Sequence, residues 1–158
     1  MKIEMKLEGL DGVLKTLKSL PPEIVSKRGG PVKLALAKGA RVIASEVKKN
    51  LRSVIKTDES TGFLLKNIIV SRGKEPKGTR GERYLVRVKR KTYPDREGKP
   101  VNTLKTAHIL EYGSEKQTAT PFIRPAAISK YQEAITTIST DLVKRLDKIV
   151  ANLARNNK

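Results

Sequence analysis

The side chains that could do chemistry are few and scattered. The single histidine, His108, stands in the stretch Ala107-His108-Ile109-Leu110-Glu111. An imidazole titrates near neutral pH and is the commonest general base. A base also needs a partner to orient it and a nucleophile to activate, and no such set can be assembled around His108; a packed or surface imidazole explains it as well. There is no cysteine, which excludes disulfides, thiolate metal sites and a cysteine nucleophile. A metal site needs several convergent His, Cys or carboxylate ligands, and one His with dispersed acids does not supply them. Two Gly-containing basic stretches, 72–83 and 90–104, invite comparison with phosphate cradles. Neither matches a P-loop or the strand–Gly loop–helix order of a dinucleotide fingerprint. No catalytic, cofactor-binding or metal-binding residue is assigned, and no enzymatic activity is expected.

Charge is the outlying property. Lys and Arg number 34 against 16 acids, a formal net charge of +18, which attracts polyanions and keeps like copies apart in solution. The candidates for such contact are Arg72, Lys74, Lys77 and Arg80 in the first basic stretch, and Lys89, Arg90, Lys91, Arg96 and Lys99 in and before the second. Long basic loops on a compact domain point to a partner, either DNA phosphates or an acidic protein face. Base reading is not expected, because neither a recognition-helix pattern nor stacking aromatics accompany the charge.

The elements that must position these residues read as α+β. A chain of 158 residues suits one domain, 1–158, with extended basic loops at about 72–83 and 90–104 and a tail that frays at 155–158. Nothing resembles a membrane span, and the charged, alternating start Met1-Lys2-Ile3-Glu4-Met5-Lys6 has no signal-peptide pattern. Residues 2–7 alternate as a short strand, and Leu10, Val13, Leu14, Leu17 and Leu20 share one helical face before Pro21-Pro22. Pro31 opens a longer helix whose stripe runs Leu36, Ala40, Ile43, Val47, Leu51, Val54. Its first half is lined by Ala35, Ala37, Gly39, Ala40 and Ala44, slim enough for another backbone to approach. Strands are expected over 63–71, 84–89 and 105–112, which places His108 on a strand. A long helix from Pro125 to Ala154 carries Ile128, Tyr131, Ile135, Ile138, Leu142, Leu146, Ile149 and Leu153 in steps of three and four, close to a heptad seam. The expectation is a small, mostly antiparallel sheet packed against a long central helix and a long C-terminal helix.

The segment from Glu111 to Ala127 has an odd composition for a simple connection. Tyr112 ends an element, and Gly113 permits a turn or a positive φ. Pro121 and Pro125 stiffen the return by biasing Thr120 and Arg124 toward extended conformations. Phe122 supplies an apolar anchor, set either in the protein's own core or on a neighbour. Glu111 and Arg124 bracket the loop and can pair across it. Glu111, Tyr112, Gly113, Pro121, Phe122, Arg124 and Pro125 are the assembly candidates.

Glu111-Tyr112-Gly113-Ser114 with Pro121-Phe122-Ile123-Arg124-Pro125-Ala126 resembles the signature of the gp-ten-like tail-component family of long-tailed bacteriophages, also described as neck or minor tail proteins. Leu7-Glu8-Gly9-Leu10-Asp11, the helix with Lys38-Gly39-Ala40, and Thr61-Gly62 before Leu64 and Ile68 resemble the family's earlier parts in the same order. The stretch from Arg90 to Thr103 departs from it in length. The resemblance implies a non-enzymatic virion protein made in the host bacterial cytoplasm. It implies a homo-oligomeric ring at the head–tail junction, touching the tail terminator, head-closure or tail-tube proteins and surrounding the DNA channel. The reading it competes with is a free, basic nucleic-acid-binding protein.

Overall fold

The computed structural model describes residues 30–55, 62–74, 82–95 and 97–156, together with Lys15 and Ser19, both helical. The strand expected at 2–7 and the body of the helix expected at 10–20 lie outside the described residues. The chain is α+β. In order, its elements are helix α1 (Pro31–Val54), the helical turn α2 (Phe63–Lys66), strands β1 (Ile68–Arg72), β2 (Tyr84–Val88), β3 (Thr92–Pro94) and β4 (Pro100–Asn102), and helices α3 (Thr103–Tyr112) and α4 (Ile123–Asn156).

Helix α1 is the common partner of the rest. Pro31 occupies its first turn, where a missing N–H leaves no bond unmade. One side packs on α4 and another on the β1–β2 ribbon. Along α4 the residues of α1 with little or no side chain let the helices approach. A Cβ built on Gly39 would lie 2.3 Å from Ile138 Cγ1 and 3.0 Å from the Ala134 carbonyl oxygen. Gly39→Ala should therefore destabilise the protein, by about 1–3 kcal/mol as overpacking does, although the same change in an open helix stabilises. Ile138 is β-branched and holds few rotamers in a helix, and the carbonyl belongs to the α4 backbone, so neither neighbour yields cheaply. A urea denaturation series reads the sign, and a raised midpoint would mean that the helices are less closely packed than this.

Asp141 of α4 is buried between Lys38 of α1, at 2.8 Å, and Arg145 one turn on. The Arg145 and Lys38 contacts together hold its carboxyl below the ordinary aspartate range. The Lys38 contact ties α1 to α4 beside the Gly39–Ile138 approach.

The sheets are two antiparallel ribbons among the described residues. In β1–β2, Ile68 faces Val88 and Val70 faces Val86. Ile68 is buried, while Val86 and Val88 pack on the core and Arg87 points outward. The strand expected at 84–89 is thus present as β2. The main core joins Val47 and Leu51 of α1, Leu64, Ile68, Ala107 of α3, and Phe122 and Ala126 at the start of α4.

Several sequence expectations are corrected. Residues 63–66, read as the start of a strand, form a helical turn. Gly62 enters it with φ +65°, and the Asn67 side chain closes it by donating to the Phe63 carbonyl at 2.8 Å. Residues 92–94 and 100–102, read as loop, pair as a hairpin whose tip is tied by Asp95 accepting from the backbones of Glu97 and Lys99. The Tyr93 ring packs on Phe63, 4.8 Å between centroids, and its hydroxyl meets Thr106 Oγ1 at 3.1 Å. The largest correction concerns 105–112, read as the last strand. It is helix α3, entered through Asn102, whose side chain accepts from the Leu104 N–H at 2.8 Å. The terminal helix starts two residues before Pro125, and Ile128, placed on its buried stripe, is 67% exposed.

Candidate assembly site

The segment from α3 to α4 is a joint built around one carboxylate. Thr103, Ala107 and Glu111 are spaced by four on α3 and all three are buried, so this face of the helix turns into the molecule. Gly113 ends α3 with φ +81°, a conformation that side chains rarely adopt. A Cβ there would also sit 3.0 Å from the Gln117 carbonyl and the Ala119 nitrogen. The chain then loops through a Ser114–Gln117 bridge and returns with the Thr120 N–H donating to the Leu110 carbonyl at 2.8 Å.

That return delivers the first turn of α4 to Glu111. One carboxylate oxygen accepts from the Phe122 N–H at 2.9 Å and the Ile123 N–H at 2.8 Å; the other accepts from the Arg124 N–H at 3.0 Å and Arg124 Nε at 3.4 Å. A helix leaves its first N–H groups without internal partners. Here Glu111 takes three, and the next residue, Pro125, has no N–H. The negative charge also lies at the positive end of the α4 dipole. Burial pushes the Glu111 carboxyl up, and the backbone donors with Arg124 outweigh it, leaving the group below the ordinary glutamate range. Phe122 between them is fully buried, and its carbonyl accepts from Asn50 Nδ2 of α1 at 3.3 Å. The anchor therefore belongs to the protein's own core.

The outer rim of the joint is different. Tyr112 is 60% exposed. The Arg124 guanidinium lies 4.9 Å over its ring, and the His108 ring packs against it at 4.8 Å. Pro121 and Pro125 are exposed beside them. The joint thus divides its residues: Glu111, Gly113 and Phe122 build the turn, while Tyr112, Arg124 and the two prolines face outward. His108 lies on the exposed side of α3. Among the described residues no group of His and acids could hold a metal.

The basic candidates differ in their surroundings. Arg72 ends β1 and clasps Glu82 through two bonds of 2.8 Å, and Lys33 of α1 reaches the same carboxylate at 3.3 Å. Burial pushes Glu82 up, but these two cations outweigh it and hold the group below the ordinary range. Lys99 pairs with Glu97 at 2.6 Å on the surface. Lys74, Lys89, Arg90 and Lys91 are exposed, whereas Lys77, Arg80 and Arg96 lie outside the described residues. Lys89 and Lys91 are held by the buried Thr103, whose hydroxyl donates to the Lys89 carbonyl at 2.7 Å and accepts from the Lys91 N–H at 2.9 Å. Sequence reasoning missed Thr103, Glu82 and Asp141. Thr103 carries a signal in its spacing of four from Ala107, and Asp141 in its spacing of four from Arg145.

The fold and the joint define a small, strongly basic α+β protein. The family model described as the bacteriophage HK97-gp10 tail component matches residues 11–113. The match takes in α1, both ribbons and α3, and the chain belongs to this family of phage tail components. It stops at Gly113, so α4 and the Phe122 return lie beyond the matched stretch. No curated protein and no solved structure matches the chain.

Proposed function

We propose that the protein is a non-enzymatic neck or tail-completion subunit of a tailed phage virion. Several copies form a ring at the head–tail junction around the DNA channel and touch tail-terminator, head-closure or tail-tube proteins. Membership of a tail-component family supports a place in the virion. The observation that carries the finer reading is the joint itself: a turn locked by buried Glu111 and Phe122 that holds Tyr112 and Arg124 outward. A rigid, one-sided rim suits docking of a neighbouring junction protein, while contacts between copies in the ring, one patch against a different one, use other faces. The exposed run Lys89-Arg90-Lys91 then faces channel DNA without reading sequence, or an acidic neighbour.

Deleting the gene should give unjoined heads and tails at normal levels of head and tail protein, scored by electron microscopy. Normal infectious particles from the deletion would end this reading. The net charge of +18 favours one alternative, a free nucleic-acid-binding protein. That reading requires tight DNA binding by the isolated protein, with an affinity that falls steeply but measurably with salt.

A further inference from the structure

The rim of the joint is flanked by two hollows. One, of about 620 Å³, opens between Tyr112, Pro121, Arg124, Pro125 and Ile128. The other, of about 290 Å³, lies across the Tyr112–Arg124 stack, with Arg87, Leu104 and His108 on its walls. Large apolar side chains stand exposed at their edges: Ile128 at 67%, Tyr112 at 60% and Leu104 at 43%. Exposed apolar side chains around two hollows mark a candidate interaction surface, and Tyr and Arg are among the residues that most often anchor protein interfaces.

The charge of the surface selects its occupant. Among the residues that line the two hollows, Glu111 is the one carboxylate. Both its oxygens are occupied by the α4 backbone and Arg124 Nε. What remains toward solvent is cationic: the Arg124 side chain, half exposed, and Arg87 beyond it. The Arg124 guanidinium lies over the Tyr112 ring with its Nε bonded to Glu111, which limits its freedom before a carboxylate arrives at its outer nitrogens.

We propose that this rim docks an acidic segment of another virion protein, one that places a carboxylate on Arg124 and an adjacent apolar side chain in the hollow between Tyr112 and Ile128. The inference rests on the assembly reading and names the chemistry of the partner. A second copy of this chain fits poorly, because it brings a net charge of +18 toward a cationic rim. DNA fits poorly as well. Phosphates gain nothing from proline and isoleucine walls, and the exposed run Lys89-Arg90-Lys91 supplies a more open cationic track.

The test uses full-length protein supplied in trans to phage lacking the gene, with a photo-reactive phenylalanine analogue in place of Ile128. After irradiation of purified particles, the expected crosslink is to an acidic, apolar-flanked segment of a different virion protein. Arg124→Glu should then cut infectious particles by roughly tenfold or more, and Lys at the crosslinked acidic position should restore them. Tyr112→Ala and Ile128→Asp should lower particle yield while the isolated variants melt as the parent does, since both side chains are largely exposed. Crosslinks confined to a second copy or to DNA, or none in particles that contain the protein, would overturn the proposal and leave the assembly reading standing. Absence of the parent protein from purified particles would overturn both.

Discussion

Replacing Phe122 with Ala should lower the stability of the isolated protein by about 3–5 kcal/mol, the usual cost of removing a fully buried aromatic. Phe122 is 0% exposed and sits in the main core with Val47, Leu51, Leu64, Ile68, Ala107 and Ala126. Small domains are stable by only about 5–15 kcal/mol, so the loss is a large share of the total. For a chain of this size it corresponds to a fall in melting temperature of about 10 °C. Guanidinium denaturation followed by far-ultraviolet circular dichroism reads it directly. A melting curve unchanged from the parent would show that Phe122 contributes little to the core and is free to serve a neighbour.

This prediction separates two ways of losing assembly. A phage carrying Phe122→Ala should fail at high temperature and recover on cooling, because its defect is in folding. Tyr112→Ala, on the same joint but outside the core, should fail at every temperature with a folded subunit. The division follows from burial: adjacent residues in the sequence signature serve the interior and the surface respectively.

The long helices were legible because their apolar stripes are nearly complete. The stripe of α1 ran in steps of three and four, and its small residues announced the close approach that Gly39 and Ile138 show. Helix α3 was misread because its buried face carries Thr103 and Glu111 while Leu104 and Tyr112 face water. Polar residues inside and apolar residues outside erase the helical period, and Ala107-His108-Ile109-Leu110 then reads as a strand. The inversion has a physical origin: Thr103 and Glu111 are inside because each satisfies backbone groups of other segments. Asn102 before Thr103 was the available sign of a helix start.

The joint was partly legible. Gly113 has the positive φ that its position suggested, and Glu111 and Arg124 do pair. The backbone donors to Glu111 were not readable, because hydrogen bonding between a side chain and a turn eleven residues on depends on tertiary packing. The basic stretches were read together as candidates for contact with a partner. Arg72 is instead held by Glu82, an acid ten residues along that pairs with it across the start of the β1–β2 ribbon. Composition records charge but not which charges neutralise each other.

Glu111→Gln should cost about 2–3 kcal/mol, the range for removing charge-assisted bonds from a buried acceptor. The substitution keeps shape and volume, so packing around Phe122 survives and the loss reports the electrostatics. A glutamine offers one carbonyl oxygen in place of two charged ones, and its amide NH₂ must face a donor that it cannot satisfy. The Phe122, Ile123 and Arg124 N–H groups then compete for that oxygen, and the positive end of the α4 dipole loses its counter-charge. The pH dependence supplies an independent check. The folded carboxyl lies below the ordinary value of 4.5. Its contribution is therefore fully present above the unfolded pKa and is lost as pH falls through the lower folded value. The gap between parent and variant should stay constant near neutral pH and narrow in acid, below about pH 4.5. Asp141 and Glu82 are also depressed and remain in both proteins, so the variant keeps an acid transition, only a shallower one. Parallel denaturation curves across that range, with no narrowing, would show that Glu111 acts by shape and not as the charged cap of α4.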